Sequence, residues 1–86
     1  MNTVRLVITG KVQGVFYRQS AKEKVIELRI TGTVKNLPAG DVEIIATGDR
    51  KQLDNLIAWC KKGPPKAVVT NVLIEELPLQ LFENFE

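Results

Sequence analysis

Hydrophobic residues along this chain follow the alternate spacing of a strand in some segments and the spacing of a helix in others. The order of these segments limits the possible folds more than any other feature. Val4, Leu6 and Ile8 stand at alternate positions among β-branched residues, which predicts a strand over residues 3–9. Residues 18–28 then place apolar side chains at helical spacing with charged residues between them. The chain therefore begins with a strand that is followed by an amphipathic helix.

The second half of the chain repeats the strand and helix patterns. Two β-branched runs, at residues 30–36 and 42–47, flank a cluster of turn residues and predict a hairpin. Asp49 is a suitable N-cap for a second helix, whose apolar residues keep helical spacing until Gly63 supplies a stop signal. Residues 67–77 form the longest strand candidate. The predicted order is strand, helix, strand, strand, helix, strand.

This order is typical of an α+β fold, the ferredoxin-like split βαβ sandwich, in which two helices cover one face of an antiparallel sheet. We expect a single domain over residues 1–86, because no linker, repeat or low-complexity segment divides the chain. The last residues include Phe82 and Phe85 but little regular pattern, so any final strand is expected to be short. Because a helix connects the first two strands, they run in the same direction and end at the same edge of the sheet.

The segment GKVQGVFYR, from Gly10 to Arg18, joins the first strand to the first helix and is the candidate functional loop. A loop that enters a helix presents several backbone N–H groups, and the helix start adds partial positive charge. Arg18 adds a permanent cation whose planar fork of donors suits a phosphate, and Lys11 lies inside the loop. We interpret the segment as a phosphate cradle; the alternative is an ordinary turn with a solvated arginine. Asn36 ends the second strand, so the topology brings it near Arg18.

Residue types that are absent or rare limit the chemistry. The chain has no histidine and one cysteine, Cys60, which excludes Ser-His and Cys-His catalysis and leaves no cluster of soft ligands for zinc. Cys60 falls on the apolar stripe of the second helix, and we interpret it, like Trp59, as part of the core. A net charge of +2 without a basic block indicates neither a nucleic-acid nor a membrane partner. A reducing, cytoplasmic location is the simplest expectation.

Arg18 and Asn36 restrict the reactions that such a site could catalyse. Neither can act as a general base, because an arginine stays protonated and an asparagine amide has no titratable proton. They could still accelerate phosphoryl transfer, whose loose transition state depends on positioning and charge stabilisation. Without a general acid, the leaving group must already be a good one, as a carboxylate is. The residues therefore favour an acyl phosphate as the substrate.

Four segments of the chain, GKVQGVFYR, GTVKN, GDVE and GPPKAVV, resemble the acylphosphatase family, and the resemblance extends over nearly the whole sequence. It implies hydrolysis of a small-molecule acyl phosphate to carboxylate and inorganic phosphate, with no metal and no cofactor. By matching position, it implies that Arg18 binds the phosphoryl group and that Asn36 orients the attacking water. It also implies that backbone amides of five loop residues complete the phosphate site: Gln13, Gly14, Val15, Phe16 and Tyr17.

The sequence departs from the family pattern at Arg29, where many members have glycine, and at the C-terminus, where their last strand usually extends past Glu86. Glycine would adopt a left-handed conformation at low cost, so we expect the change at Arg29 to affect stability more than chemistry. Two other functions stay open beside an active, monomeric enzyme. Ferredoxin-like sheets also bind RNA, although this chain lacks the aromatic residues that such sheets use. An inactive domain could also keep the cradle as an anion sensor.

Overall fold

The computed structural model describes residues 1–83, and its elements follow the predicted order. The elements are β1 (Asn2–Lys11), α1 (Tyr17–Glu27), β2 (Thr31–Asn36), β3 (Val42–Gly48), α2 (Arg50–Lys62) and β4 (Val68–Leu77). The described residues form a four-stranded antiparallel sheet with the strand order β2-β3-β1-β4. This is the predicted ferredoxin-like α+β arrangement, and the element boundaries fall within two residues of the predicted ones.

An apolar core lies between the sheet and both helices. Val4, Leu6 and Ile8 of β1 are completely buried, at the alternate positions that the sequence predicted. The helices add five completely buried residues to the same cluster: Ala21, Val25, Leu53, Leu56 and Cys60. Because one face of β1 shares its core cluster with residues of both helices, the two helices cover the same face of the sheet, as predicted. None of the described helices is long and apolar enough to cross a bilayer.

Strand pairing brings Asn36 to the end of β1. Val42 of β3 is the register partner of both Ile8 in β1 and Asn36 in β2. Since β3 is antiparallel to both strands, β1 and β2 run in the same direction and end at the same edge. Neighbouring strands lie about 4.8 Å apart, so Asn36 lies roughly 10 Å from Ile8 across the sheet. The predicted proximity of Asn36 to the loop after β1 is therefore a consequence of the sheet register.

β1 continues past the predicted strand, so Gly10 and Lys11 belong to the sheet. The β1–β4 register shifts between Thr9 and Gly10, and Gly10 has a φ of 130°. A Cβ atom at Gly10 would lie 2.1 Å from the Val68 carbonyl oxygen, so this close approach of the two strands requires glycine. The prediction that the loop begins at Gly10 and includes Lys11 was wrong, because the pairing that extends β1 involves a distant part of the chain.

The end of α1 is a Schellman motif centred on Arg29. The Arg29 N–H donates to the Ile26 carbonyl at 3.1 Å, and the Ile30 N–H donates to the Val25 carbonyl at 2.9 Å. Val25 and Ile30 are both buried, which gives the motif its usual apolar contact. Arg29 has a φ of 59°, in the left-handed region that residues with a Cβ atom disfavour. The helix end thus adopts the conformation that glycine would reach at lower cost.

Replacing Arg29 with glycine is therefore expected to raise Tm by about 2–4 °C. The change removes a steric cost of roughly 1 kcal/mol, and the greater freedom of glycine in the unfolded chain offsets about half of it. Thermal unfolding followed by circular dichroism measures the shift. Lys22→Gly, at an exposed position inside α1, is the matched control and should lower Tm. A fall in Tm for both variants would contradict strain at Arg29.

Residues 78–83 contain no helix or strand, and Gln80 in this segment contacts the end of the sheet opposite to Asn36. The Gln80 N–H donates to Thr3 Oγ1 at 2.9 Å, and Thr47 Oγ1 donates to the Gln80 carbonyl at 2.6 Å. Within residues 1–83, β2 pairs only with β3. Phe85, part of the expected short final strand, lies outside the described residues, so that expectation stays a prediction.

Candidate active site

The loop between β1 and α1 is fixed to the core at two points. Val12 is 1% exposed and Val15 is 5% exposed, so their side chains anchor the loop on both sides of Gly14. Gly14 has a φ of 74°, and a Cβ atom there would have no neighbour within 4 Å. The side chains of Val12 and Val15 thus attach the loop to the core, while the backbone at Gly14 faces open space.

The start of α1 leaves several backbone N–H groups without a helical partner. The first hydrogen bond of the helix runs from the Ser20 N–H to the Phe16 carbonyl, at 3.0 Å. The N–H groups of Tyr17, Arg18 and Gln19 therefore have no carbonyl acceptor inside the helix. All three residues line a cavity of about 210 Å³. Free donors and the positive end of a helix dipole make such a cavity suitable for an anion.

Arg18 and Asn36 line this same cavity, which we call the loop cavity. Both side chains are exposed, and within residues 1–83 Arg18 takes part in no ion pair. Among the lining residues, all of which lie in the described part of the chain, Arg18 alone carries a formal charge. The loop cavity therefore combines an available cation with an amide, and its lining includes no carboxylate that would repel an anion.

Four of the five loop residues predicted to bind phosphate line the loop cavity: Gln13, Gly14, Phe16 and Tyr17. Val15 is not among the lining residues, and its side chain is buried in the core, so only its backbone N–H could serve the predicted role. Sequence reasoning missed Gln19, which also lines the cavity. Its place in the first turn of the helix is the signal that could have identified it. The catalytic and binding roles of these residues stay predictions.

The Gln13 side chain makes contacts that the sequence did not predict. Its Nε2 donates to the Leu37 carbonyl at 3.0 Å and to the Asp41 carbonyl at 2.9 Å. These carbonyls belong to the turn after Asn36, which the Leu37 N–H closes by donating to the Asp41 carbonyl at 2.8 Å. One side chain therefore connects the loop after β1 to the turn after β2. No periodic pattern identifies such a residue, because the sheet brings its partners together.

Tyr17 and Cys60 are buried beside the loop. The Tyr17 hydroxyl donates to the Cys60 carbonyl at 2.8 Å, and its ring packs against Trp59 with the centroids 5.3 Å apart. Burial raises the pKa of the Tyr17 phenol well above its usual range. Burial also raises the pKa of the Cys60 thiol to about 12, which disfavours the thiolate that a nucleophile needs. The prediction that Cys60 and Trp59 contribute to the core is confirmed.

A larger cavity, of about 710 Å³, lies on the helix side of the molecule. Its lining includes Glu23 and the ion pair between Lys24 and Glu27, whose charged atoms lie 3.4 Å apart. Mixed charges of this kind do not favour a phosphate over a cation. Since neither Arg18 nor Asn36 lines it, we do not assign the reaction to this cavity.

The acylphosphatase family model matches residues 4–86, which is almost the whole chain. The chain belongs to the acylphosphatase family. An acylphosphatase from Marinobacter nauticus is 50% identical to it over 86 residues, which covers 99% of this chain and 94% of the relative. The resemblance inferred from the motifs is thereby confirmed.

Two solved acylphosphatases have the same fold as this family member. The structure from Coxiella burnetii has a TM-score of 0.94 at 44% identity and covers 98% of this chain and 88% of that one. The crystal structure from Bacillus subtilis has a TM-score of 0.95 at 31% identity and covers 99% of this chain and 96% of that one. The described strands of the present acylphosphatase contain no aromatic residue, so the sheet gives no support to RNA binding.

Proposed function

We propose that this acylphosphatase hydrolyses the carboxyl–phosphate bond of acyl phosphates in the loop cavity, with Arg18 and Asn36 as its catalytic side chains. The observation that carries the proposal is the shared lining: Arg18, Asn36 and the free N–H groups of the first helical turn meet in one cavity. A site of this composition can bind and stabilise a phosphoryl group, but it has little capacity for acid–base catalysis.

The phosphoryl group is bound by the loop and by Arg18. In this proposal the backbone N–H groups from Gln13 to Tyr17 donate to its oxygens, and the Arg18 guanidinium donates from its planar fork. Each charge-assisted hydrogen bond contributes roughly 1.5–3 kcal/mol. Only the part that strengthens in the transition state accelerates the reaction. Anchoring by Val12 and Val15 fixes these donors before the substrate binds, so little reorganisation accompanies the reaction.

Asn36 holds the attacking water through its side-chain amide. The water oxygen attacks phosphorus while the bond between phosphorus and the acyl oxygen breaks, and the carboxylate leaves with the bonding electron pair. The protons of the water stay on the inorganic phosphate or pass to solvent. No general base is needed, because a loose transition state demands little nucleophilic help. The Gln13 side chain, bonded to the turn after Asn36, keeps the water site and the phosphoryl site at a fixed separation.

The leaving group defines the substrate class. A carboxylic acid has a pKa of about 4, so its conjugate base departs without receiving a proton. The alkoxide released from a phosphate monoester would require a general acid, and no lining residue of the loop cavity is suited to that role. Acyl phosphates are therefore the expected substrates and monoesters are expected to react poorly.

We also propose that residues 1–86 act as one domain and as a monomer in the cytoplasm, without a metal, a cofactor or a nucleic-acid or membrane partner. A core shared by the strands and both helices supports the single domain. The small net charge of +2 supports the absence of a nucleic-acid partner, and a lone buried cysteine suits a reducing compartment.

Hydrolysis of benzoyl phosphate in the presence of EDTA tests the proposed function. We expect the purified chain to release inorganic phosphate far above the spontaneous rate, with phosphate as a competitive inhibitor and phenyl phosphate as a poor substrate. Phosphate binding without any turnover would support the alternative, an inactive anion sensor. Loss of activity on addition of EDTA would contradict the metal-independent mechanism.

A further inference from the structure

Phe16 combines an unusual backbone conformation with an exposed ring at the loop cavity. It is the N-cap of α1, with φ 63° and ψ 22°, in the left-handed region. The residue is 70% exposed, and it is among those that line the cavity. A large aromatic side chain is rarely found in this conformation, whereas glycine adopts it without steric cost.

Neither backbone geometry nor core packing accounts for the Phe16 ring. The turn into α1 would form more easily with glycine at this position, as it does at the neighbouring Gly14, whose φ is 74°. An exposed ring also recovers little of the free energy that burial would provide. Backbone strain kept at the edge of a cavity is characteristic of functional positions. The accessible surface of Phe16 is therefore available to a ligand in the loop cavity.

Phe16 is also the accessible apolar surface of the loop cavity. The other large apolar lining residues, Val12 and Tyr17, are each 1% exposed and belong to the core. The remaining lining residues are polar side chains and Gly14. If the phosphoryl group binds to the backbone donors and to Arg18, the acyl group is left to contact solvent or the other lining residues. Among these, Phe16 is the one large apolar residue that is exposed.

We propose that Phe16 is a specificity-determining residue whose ring contacts the acyl group, so that the enzyme favours acyl phosphates with aromatic or bulky apolar acyl groups over acetyl phosphate. This inference rests on the proposed function, because it needs the phosphoryl group to bind in the loop cavity. An aromatic contact of this kind changes relative affinity by about three- to tenfold. The preference should be visible mainly in KM, since the contact exists before and during the reaction.

The test compares kcat/KM for benzoyl phosphate with kcat/KM for acetyl phosphate in each variant. Phe16→Gly and Phe16→Ala are both expected to lower this ratio by about three- to tenfold relative to the unmodified chain. The Ala variant keeps a Cβ atom in the left-handed conformation and the Gly variant does not, so agreement between them assigns the effect to the ring. Phe16→Leu, which keeps an apolar side chain, should give an intermediate ratio. Ile26→Ala is the matched control, because Ile26 is 68% exposed on α1 but lies outside the loop cavity.

The outcomes separate this inference from the proposed function. If the unmodified chain hydrolyses neither acyl phosphate, the proposed function fails. If it hydrolyses both, and the Phe16 variants lose both activities in the same proportion, the ring acts only through the loop backbone and the specificity role is wrong. The inhibition constant of inorganic phosphate, which has no acyl group, measures any damage to phosphoryl binding separately. A lower ratio with a nearly normal phosphate inhibition constant supports the inference.

Discussion

Replacing Arg18 with alanine is expected to abolish hydrolysis of benzoyl phosphate and, together with it, competitive inhibition by inorganic phosphate. Arg18 is the one formally charged residue of the loop cavity, so the variant leaves the phosphoryl group with neutral donors alone. Two charge-assisted hydrogen bonds contribute roughly 3–6 kcal/mol, which corresponds to a loss of kcat/KM on the order of 100- to 10,000-fold. Steady-state kinetics with phosphate as the inhibitor measure both effects.

Two further variants distinguish the functional role of Arg18 from a structural one. Arg18→Lys keeps the charge but loses the planar fork, so partial activity is expected. Lys22→Ala removes an exposed cation one turn further along α1 and should leave activity nearly unchanged. The Arg18→Ala protein should keep its Tm, because an exposed side chain without an ion pair in residues 1–83 adds little stability. Normal phosphate inhibition in Arg18→Ala would show that the binding cation lies elsewhere.

Local patterns and topology predicted most of the fold and the meeting of Arg18 with Asn36. Val4, Leu6 and Ile8 alternate in the sequence because they face the core from one side of β1. A local pattern of this kind is enough to predict a strand. The position of Asn36 near the loop was predicted from the topology, because two strands of one sheet that are joined by a helix run parallel and end at the same edge. In the structure, Ile8 of β1 and Asn36 of β2 share the register partner Val42, so the two strands end at the same edge of the sheet.

Features that depend on distant contacts could not be predicted in this way. Gly10 looked like the start of a loop, but the close approach of Val68 makes it part of a strand. The Gln13 side chain gains its two carbonyl acceptors only when the sheet brings the next turn beside it. Phe16 adopts a left-handed conformation against its own preference, because the tertiary structure overrides local propensity there. These exceptions lie at or next to the loop cavity, where local preference and function diverge.

Replacing Asn36 with alanine is expected to remove most turnover and to leave phosphate binding nearly intact. The amide is proposed to hold the water, whereas the backbone donors and Arg18 bind the phosphoryl group, so the two functions should separate. Loss of a group that positions a reactant lowers kcat on the order of 100-fold or more. Measuring kcat for benzoyl phosphate beside the inhibition constant for inorganic phosphate shows whether only the first changes.

Two further variants test whether Asn36 acts on the water rather than on phosphate binding. Asn55→Ala removes an exposed amide from α2, outside the loop cavity, and should change neither quantity. Asn36→Asp places a carboxylate beside the bound phosphoryl group, so it should weaken phosphate inhibition through like-charge repulsion as well as lower kcat. A large loss of phosphate affinity in Asn36→Ala itself would place Asn36 in the cradle with Arg18. In that case another residue would have to orient the attacking water, and the polar lining residues Gln13 and Gln19 would be the next ones to mutate.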